Sequence, residues 1–422
     1  MTPEIKHRIE QIKNGIIPKG YKKTFDGFFP NDWETVRLGD IFKERVEKGR
    51  EDLPLLSITG NEGVIPRSQI SRKDSSSKDK SKYLRICKGD IGYNTMRMWQ
   101  GVSALSNYEG IVSPAYTVLK PTDGVCTKYF AYLFKTEKNI FKFYRYSQGL
   151  VDDTRNLKYN SFKIIQVTIP PVKEQQKIVA ILSAQDKVIE CYEKKIEQLK
   201  RMKKYYLQNM FPKRGETVPK IRLKGFTDSW EQRKFSDGVS EVGDGLHGTP
   251  TYSNDGKVYF VNGNNLVDGK IVINSETKTV DESHQSTADK SLDDNTILMS
   301  INGTIGNLAY YSGEKLMLGK SAAYIKISEF DKKFIYAYLQ APTIQAYFMN
   351  SLTGTTIKNL GLKAIREMRI IIPQDVEEQV IIGKYFSILE NLITLHQHKL
   401  EEEKKKKKAM QQLLLTGIVR TN

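Results

Sequence analysis

The sequence predicts an α+β protein: two mixed α/β bodies separated by an antiparallel pair of long helices, arranged as an internal pseudo-twofold repeat. Three observations predict it. First, Ile164-Ile165-Gln166-Val167-Thr168-Ile169-Pro170, with Glu174, Gln176 and Ile178 after it, returns as Met368-Arg369-Ile370-Ile371-Ile372-Pro373, followed by Glu377, Gln379 and Ile381, at a constant offset of 203. Second, each proline precedes a long stripe of apolar residues at helical spacing. Third, the stretches before them are short β-rich runs separated by Gly/Asn/Asp turns.

The boundaries follow from these signals: a polar N-terminal segment over 1–20, a first body over 21–169, a central helix over 170–212, a second body over 213–372 and a C-terminal helix over 373–422. The bodies open at Trp33-Glu34 and Trp230-Glu231, an offset of 197, so the two copies differ by insertions inside the bodies. Strands are expected at Tyr116–Leu119, Val258–Val261, 270–273 and Thr296–Ser300. Short helices are expected at 128–136 and 333–340, and a polar loop at 71–81.

In the first stripe Ile178, Gln185, Tyr192, Leu199 and Tyr206 repeat every seven residues, with Leu182, Ile189 and Met202 beside them. The second stripe runs through Tyr385, Leu389, Leu392, His396 and Leu400. Proline is tolerated only in a first helical turn, so Pro170-Pro171 and Pro373 mark the starts; Pro212 and Gly417 mark the ends. About 35–40 residues give rods of roughly 50–60 Å. A lone rod cannot bury its stripe, so the two helices are expected to pair antiparallel with each other. The Glu401–Lys408 run reads as a solvated face with i,i+4 Glu–Lys support.

The net charge is +17 and the isoelectric point about 9.4, which points to a polyanionic partner. A duplicated unit in such a chain suggests two places read on one polyanion. No apolar run approaches a membrane span, and the polar, charged start does not read as a signal peptide. Cys87, Cys126 and Cys191 form no CxxC pair and suit buried thiols in a reducing cytoplasm.

Catalytic and metal motifs are not found. Gly243–Gly248 matches GxGxxG literally, but Thr249-Pro250-Thr251-Tyr252 follows where a helix must open. Gly319-Lys320-Ser321 has the wrong glycine spacing for a phosphate loop and leads into a strand. The five histidines form no metal pattern, and Pro170-Pro171 lacks the flanks of an adenine-methylation motif. What remains is a set of polar and aromatic loops in a basic background. Candidate DNA contacts are Asn94, Thr95, Arg97, Trp99 and Gln100, then Arg155, Asn156 and Lys158. In the second body they are His247, Thr249, Tyr252, Asn262, Asn264, Asn265, Asn302, Thr304, Thr355, Thr356 and Lys358. Arginine can bind guanine bidentately, asparagine and glutamine adenine, and threonine the thymine methyl; lysines grip phosphates. Ordinary turn chemistry would use many of the same residue types.

Two variable bodies, each followed by Ile-x-x-Pro…Glu-x-Gln and a long helix, resemble the DNA-specificity subunit of type I restriction–modification enzymes over essentially the whole chain. Pro219-Lys220-Ile221-Arg222-Leu223…Trp230-Glu231 and Asp244-Gly245…His247…Thr249-Pro250 look like second-domain openings of that family. The resemblance implies two target-recognition domains, each reading one half of a bipartite double-stranded DNA site, with the helical pair setting the gap and docking the methylation subunits. It implies no catalysis by the chain itself and, as partners, two methylation subunits and two ATP-dependent restriction subunits. S-adenosylmethionine and ATP with magnesium would belong to those partners. In such proteins the N-terminal segment packs near the C-terminal helix. Two other classes stay open from the residues alone: a basic scaffold that binds DNA without sequence preference, and a restriction enzyme with an unrecognised active site.

Overall fold

The computed structural model describes residues 2–60, 62–70, 76–355 and 358–421. Residues 71–75 of the expected 71–81 loop therefore lie outside the described residues. The chain divides into two compact units, one of residues 1–191 with 400–422 and one of residues 192–399.

The same wiring recurs inside each unit. In the first, the strand after Trp33 (Glu34–Arg37) pairs antiparallel with the strand before the proline (Gln166–Ile169), Glu34 opposite Ile169. In the second, Glu231–Lys234 pairs with Arg369–Ile372, Glu231 opposite Ile372. Each unit also holds a four-stranded antiparallel sheet. Its order is Phe42–Glu44, Tyr116–Pro121, Ile91–Asn94, Ser103–Leu105 in the first unit and Val239–Asp244, Ala322–Ile327, Thr296–Ser300, Leu308–Tyr310 in the second.

Two helices cover each sheet. The expected short helices are Thr127–Leu133 and Lys332–Leu339; each is followed by a second one, Glu137–Tyr146 and Pro342–Asn350, that the sequence reading did not separate. Strands at Tyr116–Pro121, Val258–Val261 and Thr296–Ser300 match the expected runs, and the run at 270–273 shortens to Lys270–Ile271.

Aromatic packing holds each core. In the first unit Phe42 meets Phe130 edge-on at 5.2 Å, and Phe134 meets Phe143 at 5.4 Å. In the second unit Phe211 stacks on Phe386 at 5.6 Å, and Trp230 meets Phe334 at 5.9 Å. Each such pair contributes ~0.5–1.5 kcal/mol beyond the area it buries. Trp33 and Trp230 anchor equivalent places, but differently: Trp33 Nε1 donates to Glu174 at 3.2 Å, whereas Trp230 Nε1 is buried with no partner among the described residues.

The long helices span Val172–Asn209 and Val376–Leu415. Gly417 ends the second, at φ +71°, as a left-handed C-terminal position requires; a Cβ there would also fall 2.6 Å from Pro30. Inside the first unit Gln185 donates to the Glu403 carbonyl at 3.3 Å, while Ile178, Leu182, Leu414 and Leu415 share one core. Inside the second unit Tyr192 meets His396 at 5.8 Å, Leu199 packs with Leu389 and Ile393, and Tyr206 meets Tyr385 at 5.1 Å. In both units one segment advances as its partner retreats, so the packing is antiparallel. The seven-residue series Gln185, Tyr192, Leu199, Tyr206 is the seam. Ile189 is half-buried and Leu400 buried, but Met202 and Leu392 are each 39% exposed, outside the seam where Ile196 and Ile393 take the buried places instead.

Three expectations need correction. The 203 offset holds through Leu157/Leu360 and Ile169/Ile372, then becomes 204, because the second copy carries one extra residue between its proline and its helix. Gln175 Nε2 donates to the Pro170 carbonyl (2.9 Å) and Gln379 Nε2 to that of Pro373 (3.1 Å), which pairs Gln175 with Gln379. Glu174 thereby matches Glu378, and Ile178 matches Ile382; Ile381 is 38% exposed. The Glu–Lys run forms pairs three apart, Lys404–Glu401 and Lys406–Glu403, and also reaches off its own helix, from Lys407 to Asp186 and Lys408 to Glu137. The cysteines are not buried: Cys87 and Cys126 are half-buried and Cys191 is exposed.

The N-terminal segment forms a helix over Pro3–Lys13, capped by Thr2. It rests on the end of the chain within the first unit: Arg8 donates to the Ile418 carbonyl, and Tyr21 OH to that of Gly417. No helix among the described residues is long and apolar enough to cross a membrane.

Candidate nucleic-acid interface

In each unit the central sheet strand ends in a polar loop, and a second loop lies against it. The two are tied by one backbone bond at the same place. In the first unit Leu157 N–H donates to the Thr95 carbonyl (2.8 Å); in the second Leu360 N–H donates to that of Ile301 (2.9 Å). Leu157 and Leu360 are fully buried, so each bond is anchored by an apolar side chain.

The first unit therefore brings Asn94–Gln100 together with 147–158. Asn94 Oδ1 accepts from Met96 N–H (3.0 Å), a turn of the type asparagine favours. Thr95 Oγ1 donates to the Ala115 carbonyl, and Trp99 Nε1 to that of Met96, both at 2.9 Å. Trp99 is half-buried, edge-on to Tyr144 at 6.4 Å, and so belongs to the surface layer and not to the core. Arg155 lies 4.1 Å over the same Tyr144 ring and donates to its hydroxyl (3.0 Å) and to Asp152 (2.9 Å). Its fork is thus occupied. Arg97, Gln100 and Lys158 are exposed, and no side-chain partner engages them among the described residues. Asn156 pairs its backbone with Gln148, and its Oδ1 is buried without a partner.

The second unit converges more loops. Leu246 N–H donates to the Leu318 carbonyl (2.7 Å) and Lys320 N–H to that of Leu246 (3.0 Å), which places the His247–Tyr252 stretch beside Gly319. Here Gly245 is required by space: a Cβ would lie 1.9 Å from the Leu318 oxygen. Ser321 Oγ donates to Asn262 Oδ1 (2.9 Å) and accepts from Gly263 N–H (2.9 Å). Asn302 bridges to Asn359, and Ser300 Oγ donates to the Thr304 carbonyl. His247 Nε2 meets Asp244 at 2.7 Å, and exposed Tyr252 leans edge-on against Phe260 at 5.9 Å. Asn265 is committed to its turn at both ends of the amide, accepting from Asn262 N–H (3.0 Å) and donating to the Val272 carbonyl (3.0 Å). Thr249, Asn264, Thr304, Thr355 and Lys358 are exposed. Thr356 lies outside the described residues.

No helix follows Gly248, and Gly319–Ser321 lies between two strands, Leu316–Leu318 and Ala322–Ile327. Both rejected phosphate motifs are strand-end turns. Among the described residues no three His, Cys, Asp or Glu side chains gather as metal ligands. The arrangement can present hydrogen-bonding side chains and cations from two fixed loop clusters. Sequence reasoning missed Tyr144, Lys320 and the loop tip at Leu150; Phe141 and Tyr144, three apart on one face of the Glu137–Tyr146 helix, were the available signal for the first.

The fold and the paired loop clusters define a protein with two internal recognition modules. The chain belongs to the family described as type I restriction modification DNA specificity domain, whose model matches it twice, over residues 30–201 and 228–404. It is 24% identical over 410 residues to the type I restriction enzyme MjaVIII specificity subunit of Methanocaldococcus jannaschii, covering 93% of this chain and 94% of that one. It is 26% identical over 442 residues to another protein of that organism, provisionally named type I restriction enzyme MjaX specificity subunit, covering 95% and 97%. The fold is similar to the crystal structure of a type I restriction–modification S subunit from M. genitalium, with a TM-score of 0.56 at 13% identity, over 92% of this chain and 96% of that one.

Proposed function

We propose that this chain is the DNA-specificity subunit of a type I restriction–modification complex, each unit reading one half of a split double-stranded site. The observation that carries the reading is the repeated loop pair. The same backbone bond fixes it in both units, through Leu157 and Leu360, while the side chains it presents differ. One frame with two sets of contacts is what reading two different half-sequences requires. The +17 charge supplies the attraction to phosphate.

In this reading the chain supplies recognition and no chemistry. Methylation and ATP-dependent restriction belong to partner subunits, two of each, which bring S-adenosylmethionine and ATP with magnesium. The long helices dock the methylation subunits and set the gap between half-sites, and the complex works in the cytoplasm.

The test is to express the chain with its methylation subunit and sequence the modified bases of the host genome. One bipartite motif is expected. Methylation or cleavage by the pure, isolated chain would overturn the reading. Equal affinity for random and selected duplex at fixed salt would replace it with a nonspecific scaffold.

A further inference from the structure

One loop tip of the first unit is hydrogen-bonded at its base without being packed. Leu150 is 97% exposed and Val151 59% exposed. Yet the loop that carries them is braced from below. Gln148 and Asn156 exchange backbone bonds of 2.9 and 2.7 Å. The Val151 carbonyl accepts from Thr154 N–H (3.0 Å) and from Thr154 Oγ1 (2.9 Å). Gly149, at φ +124°, makes the turn, and a Cβ there would fall 2.5 Å from the Thr154 oxygen. No core is gained by this bracing, since the side chain at the tip points to water. The base of the loop continues into the Leu157–Thr95 bond, which joins it to the candidate DNA-reading loop of exposed Arg97, and exposed Lys158 follows it in the chain. These cations suit a phosphate backbone.

An apolar tip braced at its base, with exposed Asp152 and Asp153 beside it and cations on the adjoining segments, resembles the wedges with which proteins part stacked base pairs and bend a duplex. We propose that Leu150 is such a wedge: it enters the DNA between two base pairs of the half-site read by the first unit and opens that step. The proposal rests on the DNA-specificity reading above and adds how one half-site is deformed. It implies that the base step opposite Leu150 is chosen for its ease of unstacking and not by hydrogen bonds alone.

The test uses the full chain in complex with its methylation subunit, without S-adenosylmethionine. The probe is a short duplex selected from a randomised pool by the wild-type complex. It carries 2-aminopurine at each position of the first half-site in turn. A several-fold rise in fluorescence is expected at one step. Leu150→Ser should abolish that rise and weaken binding about tenfold, while Leu150→Met keeps both. The Leu150→Ser complex should still select the same second half-sequence, which shows that it is folded. A rise at no position, or one unchanged in Leu150→Ser, overturns the wedge and leaves the DNA-specificity reading standing. Loss of the methylation subunit from Leu150→Ser with unchanged fluorescence also overturns it and makes the tip a protein contact. If the wild-type complex selects no duplex at all, the specificity reading fails and the wedge falls with it.

Discussion

Arg420 grips Glu174 with two nitrogens, Nε to Oε1 at 2.8 Å and Nη2 to Oε2 at 2.9 Å. The same clasp appears in the second unit, where Arg222 Nε and Nη2 meet the two oxygens of Glu378, both at 2.8 Å. In each unit an arginine beyond the end of one long helix closes on the first turn of the other. The Glu378 side chain is only 1% exposed and that of Arg222 13%. Removing one partner from such a pair leaves a charge unpaired out of water. Arg222→Ala is expected to destabilise the second unit by about 3–5 kcal/mol, read as an earlier thermal transition. Arg420→Ala should cost less, because Glu174 keeps the Trp33 N–H. Equal melting of Arg222→Ala and wild type would show that the clasp contributes nothing.

Arg97 is exposed, and among the described residues no side chain engages its guanidinium, unlike that of Arg155. If it reads a guanine, Arg97→Ala should weaken binding by ~1–3 kcal/mol and relax sequence preference at one position of one half-site. Selection from a randomised duplex pool distinguishes this from uniform weakening, which would mark a phosphate contact. No change in either would remove Arg97 from the interface.

Lys135 donates to the Gly101 carbonyl at 2.7 Å and to that of Gly60 at 3.3 Å. Burial, with a smaller contribution from Lys407, pushes its ammonium down to about 8 from 10.5. Below about 8 both folded and unfolded forms carry the charge, and the burial penalty is complete. Between there and 10.5 the folded form releases its proton first, so the unfolded form binds more protons and stability rises with pH. Denaturant unfolding across that window should show this rise in wild type and a smaller one in Lys135→Met, because burial also lowers Lys138 and Lys142. A parallel pH dependence in the variant would assign the rise to another group.

A fourth prediction concerns the proposed spacer role of the long helices. Four residues inserted after Gln198 lengthen the first by ~6 Å and add a little more than one turn, ~4/3.6. The stripe is nearly preserved. The modified motif should keep both half-sequences and gain one or two unread base pairs between them. Altered half-sequences with an unchanged gap would show that the helices are not the ruler.

The frame was legible in the sequence because it is made of repeated apolar and proline positions. Trp33 and Trp230, the strands before Pro170 and Pro373, and the heptad series through Tyr192 and Leu199 all stand where periodicity placed them. The one-residue slip after Pro373 was not legible, because Glu377-Glu378 offers two glutamates for one position and only the buried hydrogen bonds of Gln175 and Gln379 choose between them. The interface was legible as loops but not as contacts. Asn265 and Arg97 look equally suited to a base edge in sequence. In the structure one is consumed by its own turn, and the other is not. Leu150 carried no signal at all, because an isolated leucine in a loop reads as an unremarkable residue until its exposure is known.

The strand pair at the neck of each unit has a last consequence. The chain enters a body at Glu34 or Glu231 and leaves it opposite, at Ile169 or Ile372. Entrance and exit are therefore one strand spacing apart, ~5 Å, however much chain lies between. The two bodies already differ in length by six residues, the growth from 197 to 203, yet their necks pair in the same register. A loop can lengthen, shrink or be rewritten beyond the neck without moving the helices that follow. Heredity can thus edit the lettering while the binding of the book stays whole.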